Sequence, residues 1–278
     1  MKFASYEVDG QPTWGAVLHD AAVSLATPQL PTLRQAIAAG RLPTDEAALP
    51  AGPRTPLAQL RWLPVIPDAP KIFCIGLNYE EHRIESQRER VGHPTIFLRV
   101  PGSQTGHGQP LLRPRESEHF DFEGEIAVII GRGGRRIPEA QAWEHIAGYA
   151  PYNDGSIRDW QRHTVQWTPG KNFRETAGFG PWMVPRGEIA DGQLLTLETR
   201  LNGEVVQHAT TDMMLFDIPA QIAYISTFID LEPGDVIATG TPGGVGARRT
   251  PPLWMQPGDQ VEVELSSVGT LRNSIAQD

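Results

Sequence analysis

Glu123 and Glu125 stand two residues apart in Asp121-Phe122-Glu123-Gly124-Glu125, at the head of the apolar run Ile126-Ala127-Val128-Ile129-Ile130. The run is short, rich in Ile and Val, and closed by Gly131, so it reads as a buried strand. Residues i and i+2 of a strand share a face. Two carboxylates on one face repel each other and resist desolvation, so they either stay in solvent at the strand end or share a cation. Their oxygens suit a hard divalent ion such as Mg2+ or Ca2+. Asp154, in Asn153-Asp154-Gly155-Ser156-Ile157-Arg158-Asp159, becomes a third donor if the chain returns beside the first two. Three carboxylates plus water suit octahedral Mg2+ or Mn2+.

His82 and Glu85 lie in the charged segment from Asn78 to Arg90. On a helix they are i and i+3 and share a face. A carboxylate that orients an imidazole makes a general base; the alternative is an ion pair on an exposed helix. Lys171 sits between Gly170 and Asn172. It is either an exposed loop residue or, beside a metal, a positive charge for a developing oxyanion. Cys74, the single cysteine, lies in the apolar run Lys71–Gly76 and reads as a buried inert thiol. His107, in a Gly-rich loop, reads as solvated.

Elements must position these groups. Asp9-Gly10 and Asn202-Gly203 are hairpin turns between alternating segments. Thr32 to Gly40 reads as a short capped helix, Pro138 to Ala147 as another, and Asp217 as the cap of a third that runs to Ile229. The stripe Ile218, Ile222, Ile225, Phe228 and Ile229 of that third helix is expected in the core, with Gln221 on its edge. Pro43 to Pro70 carries seven prolines and reads as an extended linker. The implied division is a small N-terminal α/β domain over residues 1–68 and a larger domain over 69–278. Two Pro-Gly-Asp turns, at 233–235 and 257–259, each launch a strand. The loop Gly240-Thr241-Pro242-Gly243-Gly244-Val245-Gly246 has no Gly-Lys-Ser/Thr, which argues against nucleotide phosphate binding. Its backbone N–H groups and threonines are candidates to hold a substrate carboxylate.

Composition narrows the partners. With 278 residues, 40% hydrophobic and 21% charged, the chain has a globular, water-compatible make-up. A net charge of −9 argues against nucleic acid and anionic membranes. One cysteine fits a reducing cytoplasm, and no apolar run is long enough to span a bilayer. Gly (28) and Pro (25) are plentiful, which points to many turns and therefore many short strands.

Taken in order, Gly76-Leu77-Asn78-Tyr79-Glu80-Glu81-His82-Arg83-Ile84-Glu85, Pro94-Thr95-Ile96-Phe97, Asp121–Glu125, Asn153–Asp159 with Gln161, Gly170–Phe173 and Gly240–Val245 resemble the fumarylacetoacetate hydrolase family. The resemblance implies a β-rich α+β fold, a mixed β-roll, commonly homodimeric, with Glu123, Glu125 and Asp154 holding Mg2+, or Mn2+ or Ca2+. It implies that His82 and Glu85 activate water on a segment that orders over the substrate. Lys171 and Gln161 become oxyanion and substrate contacts, Arg158 holds a carboxylate or the metal-site carboxylates, and Thr241 and Tyr79 lie near the substrate. Where the family carries Lys after Pro-x-x-Phe, this chain has Arg99, which alters any anion contact there. Where the family continues Val-Ser-Ala-Arg-Asp, it reads Gly155-Ser156-Ile157-Arg158-Asp159. The activity implied first is hydrolysis of a C–C bond in an acylpyruvate-type 2-oxo acid, as in aromatic catabolism. Decarboxylation of a 2-oxo acid, or isomerisation or hydration of an unsaturated one, needs the same metal. A non-catalytic module with a structural cation is the remaining alternative.

Overall fold

In the computed structural model, which describes residues 1–278, Asp9-Gly10 turns β1 (Lys2–Val8) back on β2 (Gln11–Val17). Both turn residues are left-handed, at φ 52° and 74°, as a two-residue hairpin loop requires. β3 (Ala21–Ser24) pairs with β2. Helix α1 (Leu33–Ala38) is capped by the Thr32 hydroxyl, which accepts from the Gln35 N–H at 3.3 Å. The proline-rich stretch is not only a linker. It supplies β4 (Arg54–Pro56) and β5 (Arg61–Trp62), the two edges of a sheet ordered β4-β3-β2-β1-β5. Edge strands tolerate proline, which cannot donate to a ladder on both sides.

The chain continues through β6 (Ile72–Gly76), α2 (Glu80–Glu85), β7 (Thr95–Arg99), β8 (Gln104–Thr105), β9 (Leu111–Arg113), β10 (Phe120–Asp121), β11 (Gly124–Ile130) and β12 (Ile146–Asn153). It then forms β13 (Ser156–Ile157), the single turns α3 (Arg158–Gln161) and α4 (Thr168–Lys171), β14 (Ala177–Phe179) and β15 (Val184–Pro185). β16 (Thr196–Leu201) and β17 (Glu204–Thr210) make the Asn202-Gly203 hairpin, and α5 (Ile218–Phe228), β18 (Val236–Ala238), β19 (Gln260–Leu265) and β20 (Gly269–Gln277) complete the chain.

The central sheet runs β7-β6-β18-β11-β12-β14-β8, with β15 also on β12, and a second sheet runs β17-β16-β19-β20-β9. β11 shows why both faces are covered. Ile126, Val128 and Ile130 pack with Leu197, Val263, Ile222 and Ile225 of the second sheet and α5. Ala127 and Ile129 point the other way, against Phe3, Trp14, Leu33, Val65 and Ile66 of the N-terminal unit. A strand buried on both faces reads as a continuous apolar run. The N-terminal sheet therefore shares a core with the rest of the chain, and a backbone bridge joins Phe3 to Met183.

Three expectations change. Residues Glu139–His145 form a 3-10 helix rather than an α-helix. Its buried residues, Ala142 and His145, are three apart, which matches a period of three residues per turn. Phe228 is 54% exposed; its ring sits at the end of α5 and meets Phe73 and Tyr224 edge-on rather than packing into the core. Gln221 is buried instead of lying on the edge, and its amide donates to the Phe216 carbonyl at 2.8 Å.

Candidate metal and catalytic site

Antiparallel pairing of β11 with β12 puts Gly124 opposite Asn153, so Glu123, Glu125 and Asp154 meet at one end of the pair. The Asp154 N–H donates to the Glu123 carbonyl at 2.8 Å, and the Asn153 side chain accepts from the Glu123 N–H at 2.9 Å. One oxygen from each of the three carboxylates lies within 4.8 Å of the others. All three residues are buried.

Cations surround two of the three. Lys171 Nζ donates to Glu123 Oε2 and Asp154 Oδ2, both at 2.6 Å. Arg158 Nη2 lies 2.7 Å from Glu123 Oε1, an ion pair poorly aligned for hydrogen bonding. Arg99 donates to Asp154 Oδ1. Burial alone would raise the Glu123 carboxyl, but Arg158 and Lys171 hold it well below the usual carboxylate range. Burial would lower the Lys171 ammonium, and Asp154 and Glu123 raise it instead. Glu125 is the exception. Its one hydrogen-bond partner is the Gly240 N–H at 2.9 Å, and burial, with Asp154 and Glu123 beside it, pushes its carboxyl well above the ordinary value.

Charge counting shows that these residues fit a divalent ion. Asp121, Glu123, Glu125 and Asp154 face Arg99, Arg158 and Lys171, all buried. With all four carboxyls ionised one negative charge is in excess, and Glu125 is the acid that pairs with none of the three cations. Buried charges are retained when paired or metal-bound, and hard oxygen donors suit Mg2+, Mn2+ or Ca2+. A divalent ion would turn the net charge of the group to one positive, which suits an anionic substrate.

A cavity of about 770 Å³ opens onto Glu123 and Glu125, and His82, Arg158, Gln161, Lys171 and Thr241 also line it. His82 Nδ1 is 2.7 Å from Glu85 Oε1. Glu85 Oε2 accepts from the Gly244 N–H at 2.9 Å, so the Gly-rich loop fixes the pair from behind. Gln161 Oε1 accepts from Arg158 Nη1 at 2.9 Å, which leaves its amide NH2 for a ligand. The Thr241 hydroxyl oxygen accepts from Gln207 at 2.8 Å, which leaves its proton free to donate.

Two expected substrate contacts lie elsewhere. Arg99 is buried behind Asp154, where it also donates to the Gly155 carbonyl at 2.9 Å and the Thr176 hydroxyl at 2.8 Å. Four of its five N–H groups are spent on protein acceptors, Ser103 included, and its fully buried side chain is not part of the cavity lining. Tyr79 is buried at the head of α2, bridged to Met214 through its backbone, outside the cavity lining. Three N–H groups of the Gly-rich loop are spent on protein carboxylates, Gly240 on Glu125, Gly244 on Glu85, and Gly246 on Asp121 at 2.8 Å, while Thr241 and Val245 line the cavity.

Asp121 and Gln207 are the residues that sequence reasoning missed. Asp121 accepts from Arg158 Nε at 2.7 Å and from the Gly246 and Ala247 N–H groups, so it ties the arginine to the loop. Gln207 accepts from the Gly124 N–H at 2.9 Å and donates to Thr241. Asp121 opens the acidic motif and was visible there; a polar residue in an alternating hairpin carries no signal that it faces inward. Cys74 is buried beneath the site, and burial keeps its thiol protonated.

Residues 71–276 match the family model described as the fumarylacetoacetate hydrolase C-terminal domain. The chain belongs to the fumarylacetoacetate hydrolase family. It has that family's β-rich α+β fold. A fumarylacetoacetate hydrolase from Exiguobacterium antarcticum superposes with a TM-score of 0.87 at 33% identity over 100% of both chains. The oxaloacetate tautomerase YisK of Bacillus subtilis is 40% identical over 215 residues, 76% of this chain and 71% of that protein. Maleylpyruvate hydrolase from Sphingobium sp. SYK-6, solved with manganese(II) and pyruvate, superposes with a TM-score of 0.82 at 27% identity, covering 100% and 99% of the two chains. This is a family of enzymes, and its members include tautomerases and isomerases as well as hydrolases. No helix is long and apolar enough to cross a membrane.

Proposed function

We propose that this family member is a metal-dependent tautomerase of a small 2-oxo acid of the oxaloacetate type, and not first of all a C–C hydrolase. The observation that carries a proton-transfer reaction is the His82–Glu85 pair opening into the same cavity as the uncompensated Glu125 carboxylate. The preference for tautomerisation over bond cleavage rests on the 40% identity to YisK.

Glu123, Glu125 and Asp154 would hold the ion, Mg2+ or else Mn2+ or Ca2+. When bound, it would draw electron density from a 2-oxo group and so acidify the adjacent C–H. Glu85 fixes His82 through Nδ1, which leaves Nε2 to take the proton from C3 of the keto form and to return it in the reverse direction. A proton taken from C3 is balanced by one delivered to the 2-oxo oxygen. Lys171, Gln161 and Thr241 are the donors that stabilise charge on that oxygen. Arg158 is committed to Asp121, Glu123 and Gln161, so it braces the carboxylates.

The test is to add enol oxaloacetate to the protein with Mg2+ and follow loss of enol absorbance and release of pyruvate in parallel. Enol loss well above the spontaneous rate without pyruvate, abolished in His82→Ala and reduced at least about 10²-fold in Glu85→Gln, is expected. The hydrolase reading keeps one argument, since the same His–Glu pair can activate water. Cleavage of acylpyruvates with enol oxaloacetate decaying only at its spontaneous rate would establish it and sink tautomerisation. Pyruvate from oxaloacetate would point to decarboxylation. A homodimer in the cytoplasm completes the proposal, and sedimentation of the purified chain checks the first part.

A further inference from the structure

We propose that Arg162 and Arg248, with Arg88, form a second anion subsite that holds a charged group at the far end of the substrate. The inference deepens the 2-oxo acid reading and rests on it.

Three arginines reach one cavity from three separate segments: Arg88 beyond α2, Arg162 at the end of α3, and Arg248 in the 3-10 turn Gly246–Arg248. The other cations of that cavity are committed. Arg158 and Lys171 are each paired with two carboxylates. Arg88, Arg162 and Arg248 pair with none; Arg248 makes one contact, to the Ser86 carbonyl at 3.3 Å. Beyond Glu123 and Glu125, the one acid in the lining is Glu89. Neighbouring Arg249 shows the contrast. It is spent on the Gly244 and Val206 carbonyls and ties the loop to β17.

The positive group is crowded as well as unpaired. Burial disfavours the charged form of Arg162, and Arg248, Arg158 and Arg88 add to that, with Asp121 opposing them. Like charges gathered around a cleft repel one another and focus a positive field into it. An anion bridging them relieves the repulsion and gains charge-assisted hydrogen bonds. Asp121 places this subsite relative to the metal end. It holds Arg158 with one oxygen, and its two oxygens accept from the Gly246 and Ala247 N–H groups of the turn that carries Arg248. The implied substrate is therefore a dianion, with a 2-oxo carboxylate at the ion and a carboxylate or phosphoryl group at the arginines.

Calorimetry on the full chain with Mg2+ tests this using three probes: oxalate, which reaches only the ion, and 2-oxoglutarate and 3-phosphonopyruvate, which add a distal carboxylate or phosphonate. In Arg162→Gln and in Arg248→Gln the Kd of at least one two-ended probe should rise about tenfold, the low end for a lost hydrogen bond to a charged group at an exposed site. Oxalate should bind the variants as it binds the wild type, which also reports that the site is folded. The probe held tighter by the wild type identifies the distal group. Equal affinity of both two-ended probes for wild type and variants, with oxalate bound throughout, overturns the subsite alone. Failure of oxalate to bind the wild type overturns the 2-oxo acid reading and this inference with it.

Discussion

At the residue scale, Glu125 concentrates the cost of the site. Its carboxylate is buried with two others beside it and no cation of its own. Glu125→Gln removes that repulsion and the ligand together. Metal-free protein carrying Glu125→Gln should melt about 2 °C higher than wild type, a gain of roughly 1 kcal/mol, while Mn2+ binding and turnover are lost. Scanning calorimetry and a Mn2+ titration check the two halves; full turnover would remove the metal from the mechanism. The acidic motif and the His–Glu spacing made these residues legible in the sequence. Arg99 was legible only as a departure from the family pattern. Its direction was not, because four acceptors distributed over residues 103 to 176 decide where a guanidinium points.

At the element scale, close approach of α3 and α4 sets Arg158, Gln161 and Lys171 relative to one another. Gly170 makes this possible. A Cβ there would sit 2.3 Å from the Gln161 backbone nitrogen and 2.5 Å from the Ile157 carbonyl oxygen. Gly170→Ala should therefore force the two turns apart. Overpacking of this kind costs about 1–3 kcal/mol, and kcat should fall along with the melting temperature, because Lys171 is the next residue. A variant with wild-type kcat would show that the turns need no such contact. Local turn chemistry made the hairpins readable: Asp9-Gly10 and Asn202-Gly203 turn where they should. The proline-rich stretch reads locally as a linker because its two short strands gain their partners, β3 and β1, from far along the chain. No local pattern encodes such a pairing.

At the scale of the whole molecule, His107 joins three parts. Its ring meets Trp62 of the N-terminal sheet edge-on at 5.8 Å, and Nδ1 accepts from the Arg272 N–H of β20 at 3.1 Å. Its Gly-rich loop suggests a solvated ring, but burial, and then the Arg272 charge, lower its pKa from 6.5 to about 4. The unfolded chain takes up a proton near pH 6.5 that the folded protein refuses until about pH 4. Stability from this group is thus complete above pH 6.5 and drains away as pH falls toward 4. His107→Gln should flatten the melting temperature between pH 7 and 4, and an unchanged slope would show that His107 does not report folding. A different consequence follows from the position of β18. This strand, made late in synthesis, lies between β6 and β11, which are made much earlier. Until it emerges from the ribosome, the middle of the central sheet is a gap, and the Gly240 amide that steadies Glu125 has not been made. The proposed ion site would therefore be completed among the last events of biogenesis, and a nascent chain stalled at residue 230 should hold no Mn2+ however long it waits.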